Sequence, residues 1–119
     1  MKISHYCSPD RLAVSAEDGS IAELDRVFGI QEQLILEPGN WFWFSRIKAK
    51  HEGQGVGTRL MTELVALCDE HRVDVFCQLN PYGQLDYEQL RAFYRKFGFV
   101  DVEVRKRHAM IRRCRSVTM

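Results

Sequence analysis

The sequence predicts an α/β fold: a mixed, mostly antiparallel sheet with a parallel β-α-β crossover at its centre. Three observations lead there. The apolar run Trp41–Phe44 passes through a glycine-rich turn into a helical stripe, and a second alternating run, Arg72–Leu79, follows that helix. Beyond it come another helical stripe and a cleanly alternating run, Val100–Val104. A strand joined to the next through a helix requires a parallel, right-handed connection. The flanking hairpins supply antiparallel neighbours.

Lys2–Cys7 and Leu12–Ala16 read as short strands, with Ser8-Pro9-Asp10 beginning the turn between them. Ser20-Ile-Ala-Glu23 has the form of a capping box, and Ile21, Leu24, Val27 and Phe28 follow at helical spacing before Gly29. A short helix over Ile21–Phe28 is therefore expected. The competing reading is a hairpin turning through Asp18-Gly19. Gln31–Glu37 reads as a strand and Pro38-Gly39-Asn40 as the tight turn into Trp41, which makes the Trp41 strand the second arm of a hairpin.

Trp41–Phe44 is apolar on both faces, the pattern of an interior strand. Gly53, Gly55 and Gly57 then free the backbone to bend and to approach a ligand closely. From Gly57 onward, Leu60, Met61, Leu64, Val65 and Cys68 form one stripe of a helix. Glycines feeding a helix N-terminus aim several unpaired N–H groups, and the positive end of the helix dipole, at one point. That is an anion site of the kind that holds phosphate. In Arg72–Leu79, Val73, Val75, Cys77 and Leu79 alternate with Asp74 and Gln78, giving a second interior strand. Asn80-Pro81-Tyr82-Gly83 breaks it, Asp86 with Gln89 caps a second helix, and Leu90, Phe93, Tyr94 and Phe97 form its stripe up to Gly98. Val100, Val102 and Val104 alternate with charged residues, Lys106-Arg107 turns the chain, and Ala109–Arg113 reads as a last antiparallel strand.

A chain of 119 residues, 45% apolar and 28% charged with a net charge of +1, reads as one globular domain over residues 1–119. Cys7, Cys68, Cys77 and Cys114 show no metal-ligand spacing, so no metal is expected, and Cys68 and Cys77 on apolar stripes suit reduced core thiols. No apolar run is long enough to span a bilayer and no signal-peptide pattern follows Met1, so a cytoplasmic location is expected. Arg105, Lys106, Arg107, Arg112, Arg113 and Arg115 crowd the C-terminal stretch. With no interleaved aromatics a solvated hairpin is the simpler reading, against an acidic partner, a nucleic acid or the adenosine phosphate of a cofactor.

Ile47-Lys-Ala-Lys-His-Glu-Gly-Gln-Gly-Val-Gly-Thr-Arg-Leu60 resembles the acyl-CoA-binding motif of the GNAT superfamily of N-acetyltransferases, and Leu90-Arg-Ala-Phe-Tyr94-Arg-Lys-Phe-Gly98-Phe99 is similar to that family's second motif. The resemblance covers roughly residues 38 to 113 and is nearest to compact, phage-type members, which would act in a host cytoplasm. It implies the GNAT fold and transfer of an acetyl group from acetyl-CoA to a primary amine by direct attack in a ternary complex. It further implies that backbone N–H groups of Gly53, Gln54, Gly55, Val56, Gly57 and Thr58, beside Glu52, cradle the pyrophosphate. The strand edge near Ile47 and Ala49 would align the pantetheine arm, and Tyr94 would serve the leaving thiolate. Without the resemblance, Tyr94 on its apolar stripe would read as a core tyrosine.

Two positions depart from the family pattern: Glu52 stands where Arg or Gln is usual, and Tyr87 replaces a common asparagine. No carboxylate lies in Trp41–Ile47 to act as a base; Glu37, Asp86, Asp101 and His108 are the candidates. The acceptor implied by the resemblance would be a protein lysine, a protein N-terminus or a small-molecule amine; no membrane or nucleic-acid partner is expected, and a homodimer is left open. The alternative is a GNAT-fold binding protein with weak turnover that inhibits a host protein.

Overall fold

The computed structural model describes residues 2–26, 39–48, 55–78, 86–104 and 107–115. Seven strands form one sheet: β1 (Ile3–Ser8), β2 (Arg11–Ala16), β3 (Ile21–Arg26), β4 (Trp41–Lys48), β5 (Asp74–Gln78), β6 (Val100–Val104) and β7 (Arg107–Arg112). Helix α1 (Val56–Glu70) joins β4 to β5, and α2 (Tyr87–Arg95) lies between β5 and β6. The sheet order is β1-β2-β3-β4-β5-β7-β6. All neighbours are antiparallel except β4 and β5, which run parallel as a crossover through α1 demands.

The expected helix at Ile21–Phe28 is corrected: Ile21–Arg26 is a strand, and residues 27 and 28 lie outside the described residues. Ser20 does not act as a cap. Its N–H donates to Asp18 Oδ1 (2.8 Å) and its carbonyl accepts from Ala16 N–H (2.8 Å), closing a hairpin whose Gly19 sits at φ 91°. That is the turn through Asp18-Gly19, and a positive φ there is what glycine permits. Along β3, Ala22 and Leu24 are buried while Ile21, Glu23 and Asp25 face the opposite side, a period of two.

The expected strand Gln31–Glu37 lies outside the described residues. The antiparallel neighbour of β4 is β3, and its other edge pairs with β5 over Trp41–Trp43, so the expected hairpin partner of β4 is corrected as well. Trp43, expected in the interior, is 49% exposed.

The two described helices pack on one face of the sheet. Val56, Leu60, Met61, Leu64 and Cys68 of α1 join Leu90 and Tyr94 of α2 over Val14, Leu24, Phe42, Val75, Cys77 and Met110. The opposite face carries a smaller cluster of Trp41, Phe76 and Ala109, with Val102 and Ile111 packed against it.

The basic C-terminal stretch is not simply a solvated hairpin. Arg112 is buried and grips Asp69 of α1 with two hydrogen bonds, at 2.8 and 3.0 Å. Arg113 lies over the Trp41 ring, 5.2 Å from its centroid, and Asp74 accepts from the Cys114 N–H at 2.8 Å. Arg105 and Lys106 lie outside the described residues.

Candidate active site at the β4–β5 fork

The parallel pairing of β4 and β5 stops at Trp43 and Phe76, although β4 runs on to Lys48. Two adjacent parallel strands that part company leave a fork with backbone groups on its inner edges. At the same level the β3–β4 register slips: Glu23 pairs with Arg46 and Leu24 with Phe44, leaving Ser45 without a partner residue on β3. Such a bulge re-aims the backbone locally. The Ser45 hydroxyl turns back to the Glu23 carbonyl (3.2 Å) and to the Glu23 carboxylate (3.3 Å).

The N-terminus of α1 follows β4 in the chain. Gly55 is its N-cap in the left-handed region (φ 75°), with no side-chain cap and no acidic residue in the first turn. The first helical backbone bond runs from Arg59 N–H to the Gly55 carbonyl, so the N–H groups of Val56, Gly57 and Thr58 have no acceptor within the helix. Among the described residues, a Cβ built at Gly55 or Gly57 would meet nothing within 4 Å. These glycines therefore border open space rather than a packed neighbour, which is the form of a cradle. A negatively charged group of phosphate geometry fits those donors and the helix dipole.

Tyr94 fills the fork from the helix side. It is 6% exposed, and its ring lies 5.8 Å from Phe44 of β4 and 5.3 Å from Phe99. Phe93 completes the aromatic wall, 5.6 Å away in an edge-on arrangement. The opposite branch of the fork is Cys77 of β5. Burial pushes the Cys77 thiol up to about 12, against a smaller downward pull from a side-chain hydrogen bond with Tyr94. A single tyrosine thus touches both diverging strands.

Of the residues singled out from sequence, Gly55, Val56, Gly57, Thr58, Ile47 and Tyr94 are described. Ile47 is half-buried against the helix-side core. Ala49, Glu52, Gly53 and Gln54 lie outside the described residues, as do Glu37 and the His108 side chain. Asp86 is committed to capping α2: it accepts from the Gln89 N–H (2.9 Å), and the Gln89 side chain accepts from the Asp86 N–H (2.9 Å). Asp101 is paired with Arg95 and, at 3.4 Å, with Arg91. Neither carboxylate is free to serve as a base. Sequence reasoning missed Phe44 and Cys77 as neighbours of Tyr94, and it missed the bulge at Ser45. No local pattern encodes those contacts. Among the described residues, no group of three or more His, Cys, Asp or Glu side chains could hold a metal ion, and no helix is long and apolar enough to cross a membrane.

Solved structures share this architecture. The anti-CRISPR protein AcrVA5 superposes with a TM-score of 0.61 at 15% identity, covering 86% of this chain and 97% of that one. A GNAT-family acetyltransferase from Staphylococcus aureus gives 0.58 at 11% identity, covering 88% and 69%. NAA60 from Arabidopsis thaliana, solved with a bisubstrate analogue, gives 0.54 at 12% identity, covering 86% and 72%. No curated protein matches the sequence significantly. Residues 9–101 match the acetyltransferase (GNAT) domain family. With that match running from the first hairpin to the start of β6, and the forked sheet to go with it, the chain belongs to the GNAT family of acetyltransferases.

Proposed function

We propose that this protein transfers an acetyl group from acetyl-CoA to a primary amine, by direct attack of the amine within a ternary complex. The observation that carries the reading is the position of Tyr94, buried at the fork between Phe44 and Cys77 and on the same side of the sheet as the open N-terminus of α1. Acetyl-CoA supplies the activated thioester. The residues of this chain bind it, align it and handle the protons.

Gly55, Val56, Gly57 and Thr58 offer backbone N–H groups to the pyrophosphate, together with Gly53 and Gln54 on the approach. Because backbone is the donor, the side chains matter less than the missing Cβ atoms. The stretch of β4 beyond Trp43, where pairing with β5 has stopped, aligns the pantetheine arm near Ile47, with Ala49 following it in the chain, and a backbone N–H near the bulge can stabilise the developing oxyanion. Tyr94 donates a hydrogen bond to the leaving thiolate. A phenol of pKa ~10 is a weaker acid than a thiol of ~8.5, so the help comes from stabilising developing charge in place. The amine must arrive neutral, which for a lysine at pH 7 costs on the order of 4–5 kcal/mol. With Asp86 and Asp101 engaged elsewhere, the remaining acceptors for that proton are Glu37, His108 and a water relay. A protein lysine, a protein N-terminus and a small-molecule amine are all compatible acceptors.

Release of the CoA thiol in the presence of an amine panel tests the reading. Tyr94→Phe is expected to lower kcat by about 10²-fold, the lower end for general acid catalysis. Acetyl-CoA at about 100 times its Kd should add about 2.7 kcal/mol of stability. No thiol release together with no melting shift at millimolar acetyl-CoA would remove the proposal. The likeness to the anti-CRISPR protein AcrVA5, nearly all of whose length is covered, is compatible with a second reading as an inhibitory binding protein. An inhibitor that needs no chemistry keeps its effect in Gly55→Glu, which fills the cradle.

A further inference from the structure

Arg112 of β7 is 3% exposed, and its guanidinium spans two elements that carry different halves of the candidate site. Nη1 and Nη2 donate to the two carboxylate oxygens of Asp69, in the last turn of α1, at 2.8 and 3.0 Å. Nε donates to the Phe97 carbonyl at 2.6 Å. Phe97 belongs to the turn that closes α2, and its own N–H donates to the Tyr94 carbonyl at 3.0 Å. Helix α1 begins at the open cradle and runs about 22 Å to the Asp69 end. One rigid side chain thus holds the end of the Tyr94 helix against the far end of the cradle helix. The Arg115 N–H adds a bond to Asp69 Oδ1 at 2.9 Å, and a Cβ at Gly98 would meet the Arg115 side chain at 2.5 Å, so the C-terminal segment is seated on that turn.

We propose that Arg112 is a positioning residue for acetyl transfer: by tying the Phe97 turn to Asp69 it fixes the phenol of Tyr94 relative to the α1 cradle. This rests on the acetyltransferase reading above. The geometry calls for arginine in particular. A planar fork can satisfy a carboxylate in two bonds and still present Nε to a third acceptor, whereas a lysine ammonium is a point donor on a flexible stem. Lysine at this place keeps the charge beside Asp69 and loses the simultaneous hold on Phe97.

The test is a double-mutant cycle with Arg112→Lys and Tyr94→Phe, scored for kcat, KM for acetyl-CoA and melting temperature. Arg112→Lys should lower kcat by about tenfold to a hundredfold, the scale of a small misplacement of a reacting group, and leave KM within about twofold. In the Tyr94→Phe background it should lower kcat no further, while its effect on melting is the same in both backgrounds. Equal kcat losses in both backgrounds, or a KM that rises in proportion, would mean a purely structural role and overturn the proposal. Asp69→Asn, which retains the Arg112–Phe97 bond, replaces Arg112→Lys if the latter does not fold.

A second readout needs no turnover. In protein labelled with 3-fluorotyrosine, the ¹⁹F line absent from Tyr94→Phe is that of Tyr94. Arg112→Lys should shift or broaden that line and leave the Tyr6 line in place; an unmoved Tyr94 line overturns the positioning role. Wild type without acetyl-CoA turnover would instead remove the acetyltransferase reading, and the ¹⁹F line would still decide what Arg112 holds.

Discussion

A methyl group added at Gly57 would meet no atom of the described residues within 4 Å, and Gly57 already lies in the helix α1 with φ outside the left-handed region. Gly57→Ala should therefore stabilise the free protein by about 0.5–1 kcal/mol, since alanine loses less conformational freedom on entering a helix. The same methyl group occupies space the proposal reserves for ligand, so the melting shift produced by acetyl-CoA should shrink. Urea unfolding with and without acetyl-CoA separates the two effects; a destabilised free protein or an undiminished ligand shift would count against the open cradle. At this scale the sequence was informative where function rests on local backbone. The glycines and the Tyr94 stripe were readable because each needs only its immediate neighbours to be recognised. In sequence Arg112 looks like one of a run of solvated cations, because its partner Asp69 lies 43 positions away and no periodicity links them.

Two capping-box patterns occur in the chain, and they fold differently. Asp86 with Gln89 makes both reciprocal bonds and starts α2, whose Leu90 and Tyr94 recur at helical spacing into the core. Ser20 with Glu23 has the same local form, yet its backbone is claimed by the β2–β3 hairpin, and β3 gains partners on both edges. Pairing with two strands outweighs the preference of a six-residue stretch, which is too short for its period to be decided locally. The bulge at Ser45 and the early end of the β4–β5 pairing were equally hidden, because register is a property of strand pairs. Asp86→Ala should cost about 1 kcal/mol of stability through loss of the cap. Hydrogen exchange should show the loss as faster opening of the first turn of α2, with Tyr94 at the other end less affected. Uniform loss of protection along α2 would show that the cap holds more than its own turn.

Across the whole molecule, Arg112 and the segment after it tie α1, the turn closing α2 and β5 together through Asp69, the Phe97 carbonyl and Asp74. Burial works to raise the Asp69 carboxyl, but hydrogen bonds from Arg112 and the Arg115 N–H outweigh it and hold Asp69 below the usual carboxylate range. A carboxyl whose folded value is depressed contributes its full stability above its unfolded value of ~3.9, and loses it as pH falls through the folded value. The melting difference between wild type and Asp69→Asn should accordingly be constant near neutrality and close as pH drops below about 4. A difference that persists in acid would mean the Asp69 charge is not what Arg112 holds. From β4 onward the order of elements and the central parallel crossover were legible from the sequence, since helix and strand periods alternate along it. The pairing of distant segments was not, since the order in which strands lie side by side departs from the order in which they are made.

That departure has a consequence for synthesis. Strand β7, which follows β6 in the chain, lies between β5 and β6 and covers the edge of β5 opposite β4. A growing chain that has emerged only as far as Val104 carries Val75, Phe76 and Cys77 on an unpaired strand edge, with Asp69 lacking its guanidinium partner. Long-range pairing of this kind closes late, and an open apolar edge is a template for other chains. Chains arrested after Val104 should sediment as aggregates or be held by chaperones, while the full chain remains in the supernatant; soluble, cooperatively melting arrested chains would contradict it. The protein is thus most exposed to misassembly in the interval between translation of β6 and translation of β7.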